Sequence, residues 1–165
     1  MRRRTLLAAT ATLPAASLLG GCGFALRRPP PLSFERLALV GFAAGSPMEQ
    51  ALRRLMPETV TLVDAPQQAQ VVLESLLERR ERVVSGTTSF GQVRDMAVRV
   101  RFRYRVSTRA GKPLVDPSEL LQARDQSYNE TLALAKELEQ TELYRDMETD
   151  IAIQVLRRLE TVREI

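Results

Sequence analysis

The 165-residue chain contains no histidine and no tryptophan, and Cys22 is its only cysteine. Without histidine there is no Ser-His-Asp triad, no Cys-His pair and no conventional zinc site. One cysteine forms no disulfide within the chain, and in an exported protein a lone thiol is an oxidation hazard unless it is chemically occupied. Long apolar runs are also missing. The most hydrophobic stretch, Thr5 to Leu19, is interrupted by Pro14 and falls short of the roughly 20 residues that a helix needs to cross a bilayer. An excess of one charge is likewise absent once the leader is set aside. The formal net charge is +4, but Arg2, Arg3 and Arg4 lie in the leader, so the remainder carries about +1 and no general field for nucleic acid. Glu35, Asp64, Asp95, Asp116 and Asp125 are the conceivable carboxylate pairs for glycoside chemistry, yet no spacing fixes two of them at one site. The chain is therefore expected not to be an enzyme and to need no cofactor or metal.

What is present begins with an address. Arg2-Arg3-Arg4, an Ala- and Leu-rich stretch, then Gly20-Gly21 before Cys22 make an export signal with a small-residue cleavage point. Leu19-Gly20-Gly21-Cys22 resembles the lipobox of bacterial lipoproteins. That resemblance implies cleavage between Gly21 and Cys22, with diacylglycerol and N-acyl lipid (palmitate among the acyl groups) on Cys22, enough acyl chains for stable anchoring. Gly23 stands where enteric lipoproteins retained at the inner membrane carry aspartate, which favours the outer membrane, periplasm-facing. Arg3-Arg4 weakly resembles a twin-arginine signal, although ordinary leader charges account for it, and export by either route ends in the periplasm.

Three regions follow: residues 1–21 as signal peptide, 22–33 as a lipid-anchored spacer with Pro29, Pro30 and Pro31, and 34–165 as one domain. Leu37 to Phe42 reads as a short buried strand. Ser46-Pro47-Met48-Glu49 is a helix start with a serine cap, a proline at the first position and a glutamate placed for a capping box, and the helix should end before Pro57. Val60 to Val63 is a second short strand. From Gln70 to Val84 a strand is preferred to the helix that its Leu and Glu content also suits, because Val83 and Val84 run into turn residues. Its Val71, Leu73, Leu77 and Val83 are expected on the core side, with Glu74, Glu78, Arg80 and Arg82 facing away.

The strongest periodicity is Val98, Val100, Phe102, Tyr104 and Val106 alternating with Arg99, Arg101, Arg103 and Arg105, a half-buried strand. A turn at Ala110 to Pro113 leads to another strand through Tyr128, interrupted near Asp116-Pro117. Leu143, Met147, Ile151, Val155 and Leu159 then recur every four residues on a long helix, with Leu132, Ala135 and Leu138 extending the stripe backwards and Asn129 as cap. The expected fold is α+β, with two amphipathic helices on one face of a roughly four-stranded, mostly antiparallel sheet. The arginine row suits phosphate or anionic lipid, but the preferred reading is a solvated sheet face in which these arginines pair with Glu74 and Glu78.

Cys22-Gly23-Phe24-Ala25-Leu26-Arg27 resembles the mature start of the LptE (RlpB) family, lipoproteins of lipopolysaccharide assembly. Leu134-Ala135-Lys136, Glu139, Met147 and the run from Ala152 to Leu159 are similar to that family's last helix, and Arg124 to Tyr128 to its preceding strand. The resemblance implies a lipoprotein that plugs the LptD β-barrel, helps it assemble and assists lipopolysaccharide insertion into the outer leaflet. It also implies that Lys136 touches lipid A phosphates. The family's second basic contact has no direct counterpart, because Ser89, Phe90 and Gly91 occupy that region, and Arg94 is the nearest candidate. Arg99, Arg101, Arg103 and Arg105 complete the candidate set. The competing functional reading is a periplasmic lipid-binding auxiliary lipoprotein of a phospholipid transport system. A hydrolase is disfavoured by the missing histidine.

Overall fold

A computed structural model describes residues 32–128 and 130–163, all within one compact unit. The leader, Cys22, the three prolines and the Asn129 cap lie outside the described residues. Five strands and two helices follow one another as β1 (Arg36–Val40), α1 (Pro47–Leu55), β2 (Thr61–Val63), β3 (Val71–Thr87), β4 (Val93–Thr108), β5 (Pro113–Ser127) and α2 (Ala133–Leu159). Short 3-10 turns at Pro66–Gln68 and Glu130–Leu132 precede β3 and α2.

Both helices pack on one face of a single sheet ordered β2-β1-β3-β4-β5. β1 is parallel to both its neighbours, whereas β3, β4 and β5 form a long antiparallel meander. The α+β expectation holds with one strand more than expected. The parallel pairs arise because α1 carries the chain back along the sheet before β2 starts, a crossover that leaves β1 and β2 pointing the same way.

α1 begins as its sequence dictates. Ser46 Oγ accepts the Glu49 amide at 3.0 Å, Pro47 spends no amide, and the helix ends at Leu55 before Pro57. The capping box, however, is not completed by Glu49, whose carboxylate pairs with Arg53 one turn on at 2.8 Å. The carboxylate that closes this helix start comes from β3. Glu78 accepts the Ser46 hydroxyl at 2.5 Å and the Met48 amide at 3.1 Å.

That contact corrects the expected strand parity. Up to Ser75, β3 alternates as read, with Val71 and Leu73 fully buried under the helices. Between Ser75 and Leu77 the pairing with β4 slips by one residue at a β-bulge, and Leu76 is the extra residue. Beyond it Glu78, Arg80 and Arg82 lie opposite Phe102, Val100 and Val98 and so share the helix face, while Leu77 lies opposite Arg103 on the other side. Val83, opposite Ala97, is displaced from the helix face in the same way. Only Glu74 faces away as expected.

The core is continuous beneath the helices: Leu37, Met48, Leu52, Leu73, Val98, Val100, Phe102, Val106, Met147, Ile151 and Leu159 are fully buried. Burial of side chains this size is worth about 1.5–3 kcal/mol each. Phe102 stacks between Phe42 and Tyr104, with ring centroids 6.0 and 5.4 Å away. The tight turns between the long strands rest on Gly91 and Gly111, at φ +77° and +86°, each donating its amide back to a threonine carbonyl.

The stripe on α2 is correct for its C-terminal half and wrong for its start. Tyr144, Met147, Ile151, Ala152, Val155 and Leu159 are buried, but Leu132 and Leu138 are mostly exposed, as is Leu134. The first turns of the helix present Lys136 and Gln140 to the sheet instead.

Candidate functional site

The basic residues singled out by sequence fall into two separate groups. Arg99, Arg101, Arg103 and Arg105 occupy the sheet face that carries no helix. Lys136 and Arg94 sit at the far end of the molecule, where the β3–β4 hairpin, the end of β5 and the start of α2 meet.

On the open sheet face two of the four arginines are ion-paired, one to each flanking strand. Arg105 Nε donates to Glu74 at 2.7 Å and Arg101 Nη1 to Glu119 at 3.2 Å. Glu74 was foreseen as a partner. Glu78 is not one, because the bulge turns it towards α1. Arg79 and Glu81, placed on this face by the same bulge, stand opposite Arg101 and Arg99. Arg101 Nε is buried without a hydrogen-bond acceptor among the described residues. The face is thus a mixed-charge lattice with a modest positive excess, close to the solvated reading.

At the far end, Lys136 Nζ donates to Glu139 at 2.8 Å and to Ser127 at 3.1 Å, and the Lys136 carbonyl accepts the Gln126 side-chain amide at 2.8 Å. The Lys136 bond first, and a side-chain hydrogen bond from Gln126 to the Glu139 carboxylate second, hold that carboxyl below the usual carboxylate range. The Arg94 carbonyl accepts the Tyr128 amide at 2.7 Å, and its guanidinium lies 3.8 Å from Asp95. Ser127, the last residue of β5, and Tyr128 just after it therefore hold Lys136 and Arg94 at one end of the fold.

Sequence reasoning missed the exposed apolar side chains at this end of the fold. Phe90, at the hairpin tip, is 90% exposed, Leu134 is 74% exposed and Leu138 66%. Leu134 and Leu138 stand one turn apart and, by helical spacing, point away from the sheet that Lys136 and Gln140 face. The available signal was their phase. They are offset from the Leu143, Met147, Ile151 stripe by about half a turn.

Behind this end lies a polar seam. Arg80, on the helix face of β3, makes a two-pronged contact with Glu148 of α2 at 2.6 and 2.9 Å and lies 5.0 Å from the Tyr144 ring centroid. The hydrogen bond to Glu148 raises the Arg80 pKa further, and burial raises that of the Tyr144 phenol, whose hydroxyl donates to the Glu81 carbonyl. Among the described residues no cluster of acidic, cysteine or histidine side chains suits a metal ion, and no helix is long and apolar enough to cross a membrane.

Two helices over a mixed sheet of this order define a class of small bacterial lipoprotein domains. A solution structure of lipoprotein B from Nitrosomonas europaea shares it at 25% identity and a TM-score of 0.67, covering 82% of this chain and 88% of that one. A minor lipoprotein from Acinetobacter baumannii (22% identity, TM-score 0.65, 79% and 93% covered) has the same fold. So has the rare lipoprotein B of Shewanella oneidensis (24%, 0.63, 74% and 92%). No curated protein matches the sequence. The chain belongs to the LptE lipopolysaccharide-assembly family, whose model matches residues 34–159. Membership supports a role in lipopolysaccharide assembly, in a family that is non-enzymatic.

Proposed function

We propose that the mature protein, acylated at Cys22 after cleavage behind Gly21, is an outer-membrane lipoprotein facing the periplasm. There it plugs the LptD β-barrel, helps that barrel assemble and assists passage of lipopolysaccharide to the outer leaflet. The observation that carries this reading is the far end of the fold. Phe90 is exposed at the tip of the hairpin that carries Arg94, and Leu134 and Leu138 are exposed on the side of α2 opposite Lys136, so apolar and cationic side chains share one end of the fold. A lipid A headgroup offers the complement, acyl chains with phosphates at their root. Exposed apolar side chains gathered at one end suit contact with lipid or a partner. In this reading Arg99, Arg101, Arg103 and Arg105 are secondary contacts, because Arg101 and Arg105 are already paired to Glu119 and Glu74.

Mild detergent extraction followed by mass spectrometry of co-purified proteins and of the intact chain tests the role and the acylation together. A very large β-barrel partner and an acylated Cys22 are expected. An inner-membrane transporter in its place transfers the protein to the phospholipid-transport reading. For the ligand, Lys136→Glu combined with Arg94→Glu is expected to weaken lipopolysaccharide binding by about tenfold or more, two charge reversals beside one phosphate group, while barrel association persists. Unchanged binding in a direct assay removes both residues from the site.

A further inference from the structure

The opposite end of the fold, where the anchor link enters, carries a second concentration of basic side chains. Ser33 Oγ donates to the Val162 carbonyl at 2.7 Å and Phe34 is buried, so the domain's start is pinned against the end of α2. Strand register brings the start of β1, the end of β4 and the start of β5 to this same end. Arg36, Arg109 and Lys112 line one cleft there, of about 420 Å³. Arg157 and Arg158 line another, of about 480 Å³, with Tyr104, Ser118 and Thr161. Tyr104 lies four residues from Thr108, so the two clefts open within about 15 Å along the sheet.

These cations lack the acidic partners that those of the far end have, although Arg109 Nη1 donates to the Gln67 carbonyl at 3.4 Å. Among the described residues Arg36, Arg109, Lys112, Arg157 and Arg158 make no ion pair, whereas Lys136 and Arg94 are paired with Glu139 and Asp95. The acids at this end, Glu35, Glu58, Asp116 and Glu160, make no ion pair among the described residues either, and these four stand against six cations when exposed Arg163 is counted. In sequence, Arg27 and Arg28 stand in the link between Cys22 and Leu32. Ten residues span at most about 35 Å, so an acylated Cys22 holds this end, rather than the lipopolysaccharide-binding candidates, near the bilayer.

We propose that this basic end is a docking surface for the anionic glycerophospholipid headgroups of the leaflet that carries the anchor. The proposal rests on the acylation reading for its orientation, but its chemistry is separable from it. Basic side chains held within a Debye length of an anionic surface add to whatever acyl chains supply, and orient the domain against the membrane.

The test uses the chain from residue 22 onward carrying Cys22→Ser, so that no acyl group contributes, in flotation with vesicles. Binding to phosphatidylcholine vesicles that contain phosphatidylglycerol is expected to exceed binding to phosphatidylcholine alone by about tenfold or more, and to fall with added salt. The combined variant Arg109→Glu, Lys112→Glu, Arg157→Glu, Arg158→Glu should abolish that preference. The two milder pairs, Arg109→Gln with Lys112→Gln and Arg157→Gln with Arg158→Gln, should each lower it, which keeps the test decisive if the fourfold reversal does not fold. Equal binding to both vesicles, binding to neither, or a preference untouched by the milder pairs overturns the proposal. So does displacement by inorganic phosphate at matched ionic strength, which would indicate a free-anion site. Failure of acylation shows itself separately, as an unmodified Cys22 in the mass of the native chain.

Discussion

The half of β3 before its bulge and the half after it face the same two helices with opposite chemistry. Val71 and Leu73 are sealed beneath them, while Glu78, Arg80 and Arg82 meet them as hydrogen-bond and ion-pair partners. α2 divides at the same level. Its C-terminal half fills the core, and its first turns stand off, presenting Lys136 to β5 and Leu134 and Leu138 to solvent. The difference separates two tasks within one sheet. One half holds the fold together by apolar burial, and the other fixes an end with exposed apolar side chains through specific polar contacts whose strength depends on geometry.

Breaking the first half should cost most. Ile151→Ala and Leu73→Ala, at fully buried sites, are each expected to lower unfolding free energy by about 2–5 kcal/mol in denaturant titrations. A loss below about 1 kcal/mol at both would mean that the core is looser than its burial indicates.

The seam comes next. Glu148→Ala leaves Arg80 without its carboxylate. Because the Arg80 side chain is 41% exposed, water takes up part of the loss, and about 1–3 kcal/mol is expected rather than the full penalty of a buried orphan charge. A double-mutant cycle with Arg80→Met measures the coupling, and a value near zero would reduce the seam to a surface decoration.

Smaller still is the stability effect at the exposed end. Leu134→Ser with Leu138→Ser should change unfolding free energy by no more than about 1 kcal/mol in sum, yet reduce recovery of barrel or lipopolysaccharide complexes. Equal losses in both assays would place these leucines among the fold's supports.

The finest probe is Glu139, whose carboxyl should titrate by NMR below the ordinary glutamate range and move up in Lys136→Met. The sign follows from linkage. A carboxyl depressed in the folded state stabilises above its unfolded pKa, and that contribution fades as the pH falls through the depressed value. An unmoved titration would mean that the Lys136 contact is not maintained in solution.

Much of the architecture was legible in local signals. The alternation from Val98 to Val106, the Ser46-Pro47 helix start and the four-residue recurrence from Leu143 to Leu159 each carry their own period. The candidate site was legible only in part. Lys136 and Arg94 follow from a family resemblance, while the exposure of Phe90 and Leu134 has no local signal that marks it, and Leu138 reads as a continuation of the nearby apolar stripe. Leu138 reads as core by proximity to the stripe, and its phase on α2, with Lys136 and Gln140 taking the sheet-facing positions, leaves it exposed.

The sequence alone determined which segments are strands and helices, because dihedral preference, capping and hydrophobic period act over a few residues. It did not determine which way β3 faces after Leu76. A one-residue bulge inverts the side chains from Leu77 to Val84, and what decides whether Glu78 and Arg80 turn inward is the presence there of the α1 start and of Glu148, 30 and 68 residues away in the chain. Such partners meet only when the tertiary structure forms.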